Sequence, residues 1–335
     1  MFSVFKRHAP HHVRAGFGLQ PEGIAVAVVE TRPGATPGVR HVDFFSCANP
    51  DSHAAVLDGI VKDLKLRDVS GVCALEPGEY NLLQVEAPEV NDDELCKAVR
   101  WRIKDLLDFH IDDAVIDVFD LPEPKRPGAK RMLSVVASRS SDVRRRVELM
   151  EGAGIRLDSI DITELAVRNV AVMEEAGAGA QLLLYLAPRY GLIEITLDGL
   201  LYLSRQIEID ARDLTGDQGQ PERVAVETLD FSDGLDAVQP PAFSRDDVMD
   251  SLVLELQRSM DYYETQFGAG PVSRVKVVPI EPNITDRFIR YASENLAIAV
   301  EEVELERCLD GLEDVSDEVI ERCLPALGAA LREAS

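Results

Sequence analysis

The order of apolar segments restricts the fold of this chain most strongly, because one order occurs twice. In the first copy, residues 13–19, 24–30 and 39–47 have the composition and alternation of strands. A helical stripe of apolar residues begins after Asp51, and residues 69–75 follow as a returning strand. The first copy is therefore predicted to be β-β-β-α-β.

The same order returns in the second half of the chain. Three strands, a helix and a returning strand are predicted over residues 181–187, 192–197, 200–207, 244–267 and 274–279. Asp198 and Gly199 supply the hairpin turn between the second and third strands, and Gly268 marks the end of the helix. Two copies of one order predict an α/β fold of duplicated lobes facing each other across a cleft, as in actin-like (ribonuclease H-like) proteins.

A separate unit lies between the two copies. Its predicted strands and helices occupy residues 80–86, 92–107, 115–121, 132–138, 142–151 and 155–162. This is the β-α-β-β-α-β order of ferredoxin-like domains, which predicts an inserted α+β subdomain with its own sheet.

These patterns divide the chain into three parts. The first lobe covers residues 1–79, the ferredoxin-like subdomain covers 80–162, and the second lobe covers 163–315. A C-terminal helix at about 316–335 is expected to return to the first lobe. A polar, acidic loop at 210–241 is longer than compact domains usually allow, so we expect part of it to be mobile.

Charge and composition exclude several classes of protein. Sixty acidic against 35 basic residues give a net charge of −25, which repels the phosphates of nucleic acid. The longest apolar stretches, at 23–29 and 182–187, are far shorter than the roughly 20 residues of a membrane-spanning helix. The five cysteines form no C-x-x-C pair, so neither disulfides nor a thiolate metal site is expected. The first residues lack a signal-peptide pattern, which favours a cytoplasmic protein.

Four segments carry a family resemblance. In chain order they are NDDELCKAVRWRIKDLLDFHIDDAVIDVF from Asn91, AGIRLDSIDITELAVRNV from Ala153, DGLLYLSRQI from Asp198 and LVLELQRSMDYYETQF from Leu252. The ordered set resembles the PilM family of actin-like type IV pilus assembly proteins. It is most similar to the MSHA pilus biogenesis branch of these proteins, the MshI family.

The resemblance implies a non-enzymatic cytoplasmic scaffold, peripheral at the inner membrane, in the assembly platform of an MSHA-type type IV pilus. The implied partner is a bitopic inner-membrane protein, PilN-like, whose short cytoplasmic N-terminal peptide would bind between the inserted subdomain and the first lobe. Membrane association would come through that partner. Two alternatives remain open: an active actin-like ATP-binding protein of the pilus machinery, and the cytoplasmic part of a type II secretion platform.

The resemblance also indicates where a nucleotide site would lie. Actin-like ATPases use an acidic residue in the first strand turn to manage Mg²⁺, and glycine-containing hairpins to hold the phosphates. The corresponding positions are interpreted as a degenerate nucleotide cleft, made of Gly16, Phe17, Gly18, Tyr185, Ala187 and Glu281. Phe17 takes the place of the aspartate, so we predict no catalytic residue, no ATP hydrolysis and no cofactor. ATP binding stays open as the alternative.

The first helix of the inserted subdomain supplies the candidate partner-binding residues, which are Leu95, Val99, Arg100, Trp101 and Ile103. Trp101 lies on the opposite side of the helix from its apolar stripe, so it is expected to be partly exposed and to suit a partner anchor. Packing of Trp101 onto the neighbouring lobe is the alternative. Lys97, Arg100 and Lys104 form a basic face that could meet anionic lipid or an acidic peptide, or could simply be solvated.

A metal site is not expected. His8, His11 and His12 cluster near the N-terminus, but no acidic or thiol ligand lies in that segment, so they are interpreted as a polar tail. Walker A, G-x-S-x-G and H-E-x-x-H patterns are absent from the sequence, which gives no support to the enzyme classes that depend on them.

Overall fold

The computed structural model describes residues 12–91, 94–123, 128, 130–175, 179–215 and 245–332. In chain order the first half contains β1 (His12–Gln20), β2 (Gly23–Thr31), β3 (Gly38–Ser46), α1 (His53–Asp63), β4 (Ser70–Leu75), β5 (Tyr80–Glu86), α2 (Leu95–Ile103), β6 (Ala114–Asp120), β7 (Met132–Arg139), α3 (Ser140–Gly152), β8 (Arg156–Ile162) and α4 (Thr163–Met173). The second half contains β9 (Ala180–Leu186), β10 (Gly191–Leu197), β11 (Leu200–Ile207), α5 (Ala211–Thr215), α6 (Arg245–Phe267), β12 (Val272–Val277), α7 (Pro282–Asn295), β13 (Ala299–Glu302) and α8 (Asp317–Ala330). The loop predicted at 210–241 lies outside the described residues from position 216 onward.

The two lobes have the same sheet topology, which confirms the predicted duplication. Strand order is β3-β2-β1-β4-β8 in the first lobe and β11-β10-β9-β12-β13 in the second. In each sheet the first three strands pair antiparallel, and the last two join in parallel. Apart from the short helix α5 and the elements of the insert, each lobe has the order β-β-β-α-β-α-β-α, and the fold is α/β with duplicated actin-like lobes.

Burial explains which strands stand at the centre of each sheet. The sequences of β9 and β10 are nearly continuous apolar runs, and both strands are buried along almost their whole length. Such runs are expected where helices cover both faces of a sheet. The edge strands β3 and β11 instead include exposed positions.

Helices fill three layers around the two sheets. On the outer face of the first sheet, Leu57 of α1 and Met150 of α3 pack against Phe17 of β1. On the outer face of the second sheet, Phe288 of α7 joins the core that α6 forms with β9 and β12. Helices α4 and α8 lie between the sheets, in a core that takes residues from both lobes. Full burial of each large apolar side chain contributes about 1.5–3 kcal/mol to stability.

Helix α8 packs closely enough to restrict side chains on its neighbours. A Cβ atom at Gly16 of β1 would lie 1.9 Å from the carbonyl oxygen of Ala326, and one at Gly328 would lie 1.9 Å from that of Ala166 in α4. Glycine is therefore required at both positions, because any side chain would overlap backbone atoms. The C-terminal helix returns to the first lobe and also contacts α4.

The inserted unit is not ferredoxin-like, which corrects the prediction. Its sheet has three strands in the order β5-β7-β6, whereas β8 pairs in parallel with β4 of the first lobe. Helix α3 packs through Met150 into the core of that lobe. The element order was predicted correctly, but order alone does not say which sheet a strand joins. Strand β8 pairs with the buried strand β4, so β8 belongs to the sheet of the first lobe. The insert is therefore the β-α-β-β unit of β5, α2, β6 and β7, placed between β4 and α3 of that lobe.

Candidate functional site

A cavity of about 500 Å³ lies at the carboxyl edge of the first sheet, where the first lobe supplies most of its lining. Leu19 and Pro21 of the β1–β2 hairpin, His53 of α1 and Glu76 after β4 line it from the first lobe. Arg189, from the hairpin between β9 and β10, lines it from the second lobe. The degenerate nucleotide cleft was predicted at the start of the β1–β2 hairpin, which borders this cavity.

Phe17 does not lie in this cleft, contrary to the prediction. Successive residues of a strand face opposite sides of the sheet, and the Phe17 ring points outward into the core with Leu57. Gly16 and Gly18 occupy the inner face instead. A Cβ atom at Gly18 would lie 3.9 Å from Oε1 of Glu76. Gly18, rather than Phe17, is therefore the residue beside Glu76.

The second lobe also presents its predicted residues differently from a phosphate cradle. Tyr185 is buried, and its hydroxyl donates to the carbonyl oxygen of Glu321 in α8 at 2.7 Å. The amide of Ala187 donates to the carbonyl oxygen of Tyr190 at 2.8 Å, so this amide is already used within the hairpin. Glu281 is exposed and precedes the first turn of α7. Tyr185 on one side and Gly16 on the other contact α8, which stands between the two lobes.

An ion pair between the lobes lies in the wall of the cleft. Glu76 is buried, and its Oε2 lies 3.5 Å from Nη2 of Arg189. Burial raises the pKa of Glu76 to about 7, and Arg189 opposes that rise. The sequence patterns did not identify this pair, because its two residues are 113 positions apart and neither belongs to a recognised motif.

A second set of polar contacts holds the first-lobe wall of the cleft. Arg146 of α3 pairs with Glu79 and donates to the carbonyl oxygen of Leu19 at 3.4 Å. The other carboxylate oxygen of Glu79 accepts from the amide of Glu76 at 2.8 Å. His53 Nε2 lies 3.0 Å from the carbonyl oxygen of Gln20, and burial lowers the pKa of this imidazole. Arg146, Glu79 and His53 of the wall are thus committed to partners within the chain.

The described residues contain no group of three or more His, Cys, Asp or Glu placed to hold a metal ion. They also include no helix long and apolar enough to cross a membrane. His8 and His11 lie outside the described part of the chain.

Three of the five predicted partner-binding residues form the core of the insert. Leu95, Val99 and Ile103 are at most 5% exposed and pack on the sheet of β5, β7 and β6. Their spacing places them on one helix face, and that face covers the sheet. They are therefore unavailable to a partner, which corrects the prediction.

Trp101 and Arg100 lie elsewhere on α2. Trp101 is 73% exposed, as its position opposite the apolar stripe predicts. The Arg100 guanidinium donates to the carbonyl oxygen of Ile111, three residues before β6. Because α2 covers the sheet face that points away from the first lobe, Trp101 does not line the space between the insert and that lobe.

The opposite face of the insert sheet forms a partly open apolar strip with the first lobe. We call it the insert groove; its residues, all partly buried, are Leu82, Phe119, Val136, Ile160 and Leu165. At one end of the groove Tyr80 is buried and donates a hydrogen bond to Glu164 of α4. The Ser138 hydroxyl donates to the carbonyl oxygen of Glu79 at 2.8 Å. These bonds fix the insert on the lobe, and the groove residues beside them are partly buried.

Comparison with known proteins supports the fold. The sequence matches no known family profile and no curated protein. Among solved structures, a chain of the PilM-PilN type IV pilus biogenesis complex superposes with a TM-score of 0.69 at 18% identity, covering 95% of this chain and 97% of that one. The cytoplasmic domain of EpsL, an inner membrane component of the type II secretion system of Vibrio cholerae, superposes with a TM-score of 0.50 at 11% identity, covering 97% of each chain. At these identities the likeness shows a shared actin-like fold.

Proposed function

We propose that this chain is a non-enzymatic scaffold of an inner-membrane assembly platform for a type IV pilus of the MSHA type, as the sequence resemblance implies. Its partner would be a bitopic, PilN-like membrane protein, and the partner's cytoplasmic N-terminal segment would bind in the insert groove. The observation that carries the proposal is this partly buried apolar strip, set in a fold that superposes over nearly its whole length on a chain of the PilM-PilN complex. The protein would be cytoplasmic and held at the membrane by its partner.

The groove suits an extended peptide. Phe119 and Val136 from the insert and Leu165 from α4 present apolar surface from two sides. Each partly buried side chain loses its remaining contact with water when a peptide side chain covers it, which drives association. The strands that border the groove, β6 and β8, are edge strands of their sheets, so a peptide could also pair its backbone there.

The cleft supports the non-enzymatic part of the proposal. Gly18 supplies no carboxylate to orient Mg²⁺, and Arg189 of the second lobe is paired with Glu76 rather than free for a phosphate. An ion pair within the chain thus bridges the lobes at the place where nucleotide bridges them in actin-like ATPases.

One observation favours the alternative of an active nucleotide-binding protein. Glu76 is a buried carboxylate beside the β1–β2 hairpin, and its Oε1 has no hydrogen-bond partner in the described part of the chain. Titration calorimetry with ATP and Mg²⁺ separates the two. The scaffold proposal predicts no measurable heat at micromolar protein, whereas a micromolar, Mg²⁺-dependent affinity would favour the alternative.

The second alternative is that the chain is the cytoplasmic part of a type II secretion platform. The EpsL domain shares the fold at a lower TM-score than the chain of the PilM-PilN complex. The genes beside the one for this chain decide between a pilus and a secretion system.

Photo-cross-linking tests the partner site. A photoreactive amino acid placed at Phe119 should cross-link to the N-terminal segment of the membrane protein encoded nearby, because that side chain lines the groove. The same group at Trp101, on the far side of the insert, is the matched control and should give no adduct with this segment. Cross-links from position 101 and none from position 119 would place the partner elsewhere.

A further inference from the structure

Helix α2 carries a positive surface in a strongly acidic chain. Residues 95–104 contain Lys97, Arg100, Arg102 and Lys104 and no acidic residue, whereas the net charge of the chain is −25. Lys97, Arg102 and Lys104 are exposed, and Arg100 is partly exposed. Acidic residues stand at the two ends of this stretch, Glu94 before it and Asp105 after it. The positive charge is therefore confined to the side of the helix.

The charges of this surface are not neutralised by described neighbours. Arg100 and Arg102 donate to the backbone carbonyl oxygens of Ile111 and Glu86, the latter at 2.7 Å, and these acceptors carry no net charge. Lys97 and Lys104 form no ion pair with any carboxylate among the described residues. The four cations therefore keep their attraction for an external anion.

Trp101 stands at the centre of these cations and is 73% exposed. Lys97 and Lys104 lie within one helical turn of it on either side, and Arg100 and Arg102 are its chain neighbours. Tryptophan is favoured at the boundary between water and lipid, because its ring is apolar and its N–H can still meet polar headgroups. An exposed indole ringed by cations on a convex helix surface suits a broad anionic plane better than a narrow peptide.

We propose that the outer surface of α2 docks on bilayers that contain anionic phospholipids, with Trp101 entering the headgroup region. The surface consists of Lys97, Arg100, Trp101, Arg102 and Lys104. Each cation near an anionic membrane strengthens the association about fivefold, so four cations and one indole give a reversible contact. Because α2 and the insert groove lie on opposite faces of the insert sheet, this contact leaves the groove open and does not depend on the proposed function.

The chain contains a single tryptophan, which makes its fluorescence a direct reporter of this surface. Full-length protein is titrated with vesicles of phosphatidylglycerol and phosphatidylethanolamine at low salt, and with vesicles of phosphatidylcholine alone. We expect the Trp101 emission to shift to shorter wavelength with the anionic vesicles and to stay unchanged with phosphatidylcholine. Raising the salt concentration should reverse the shift.

Two charge-matched variants test the position of the surface. Lys97→Gln with Lys104→Gln should weaken partition into anionic vesicles by about 25-fold, since two cations are removed. Lys62→Gln with Lys65→Gln, two exposed lysines at the end of α1, makes the same change in net charge and should alter partition less than twofold. Phe119→Asp, in the insert groove, should leave the fluorescence shift intact.

Several outcomes would overturn the proposal. An unchanged emission with anionic vesicles would remove the lipid contact. An equal shift with phosphatidylcholine would show that charge plays no part, and equal weakening by both lysine pairs would mean that only net charge matters. A shift produced by polyglutamate but not by vesicles would assign the surface to an acidic peptide instead.

Discussion

At the scale of single residues, close approach and burial set the strongest constraints on this chain. Gly16 and Gly328 are needed because α8 lies against the backbone of β1 and α4. Buried carboxylates form the other set: Glu76, Glu164, Glu194 and Glu321 are all nearly inaccessible to water. Neither constraint is visible in the sequence, because each depends on which segments meet in the folded chain.

Substitution of two helical glycines should have opposite effects. In Gly328→Ala the new Cβ atom would lie 1.9 Å from the carbonyl oxygen of Ala166, so α8 must shift, and we expect a loss of at least about 2 kcal/mol in the free energy of unfolding. Gly59→Ala in α1 meets no atom within 4 Å and should gain about 0.5–1 kcal/mol, because alanine favours the helix. Urea denaturation measures both. Equal effects would show that α8 is not packed as described.

Glu194 should make the protein less stable as pH rises. It is fully buried, and neither carboxylate oxygen has a hydrogen-bond partner among the described residues. Burial raises the pKa of Glu194 well above 4.5, the ordinary value of a glutamate, Glu164 adds to the rise, and Arg168 opposes it. Above about pH 4.5 this carboxyl group loses its proton in the unfolded chain and keeps it in the folded chain. The free energy of unfolding therefore falls from about pH 4.5 through neutral pH.

Glu194→Gln removes this proton difference. The variant should gain at least about 1 kcal/mol in the free energy of unfolding at pH 8 and little at pH 4.5. Urea denaturation across this range measures the difference, with the exposed Glu294→Gln as the control. A residual slope is expected between pH 4.5 and 7, because burial also raises the pKa values of Glu76 and Glu321 to about 7. A variant whose slope equals that of the parent chain would contradict the assignment to Glu194.

At the scale of helices and strands, apolar periodicity predicted most of the fold. Strands β1 to β4 and β9 to β12 were predicted within a few residues, because their runs are long and the turns between them contain Gly, Pro or Asp. The four-residue strand β13 was not predicted. The periodicity could not assign β8 to a sheet, since pairing with β4 or with β5 gives the same pattern along the chain. In the same way, strand alternation places Phe17 and Gly18 on opposite faces, but the face that borders the cleft is decided by helices far away in sequence.

Two positions on α2 should respond differently to truncation. Ile103 is fully buried in the insert core, so Ile103→Ala should cost about 2–5 kcal/mol by leaving a cavity. Trp101→Ala, two residues earlier and 73% exposed, should change stability by no more than about 0.5 kcal/mol. Chemical denaturation followed by circular dichroism measures both changes. A large loss for Trp101→Ala would mean that its ring packs on another part of the molecule.

At the scale of the whole molecule, the two lobes are joined by contacts within the chain. Helix α8 accepts hydrogen bonds from both, through Gln20 to the carbonyl oxygen of Arg322 at 2.9 Å and through Tyr185 to that of Glu321 at 2.7 Å. The Glu76–Arg189 pair adds a link across the cleft. Contacts within the chain thus support the arrangement of the lobes, and the residues of the insert groove are distinct from those that line the cleft.

The most direct test of the scaffold account is the affinity of the membrane partner's N-terminal segment for the full chain, titrated with and without ATP and Mg²⁺. The account predicts binding that is unchanged by the nucleotide, weakened at least about tenfold by Phe119→Asp in the groove, and unchanged by Trp101→Ala. Circular dichroism of each variant confirms that it folds. Binding that requires ATP and Mg²⁺, or that survives Phe119→Asp but fails with Trp101→Ala, would contradict the account.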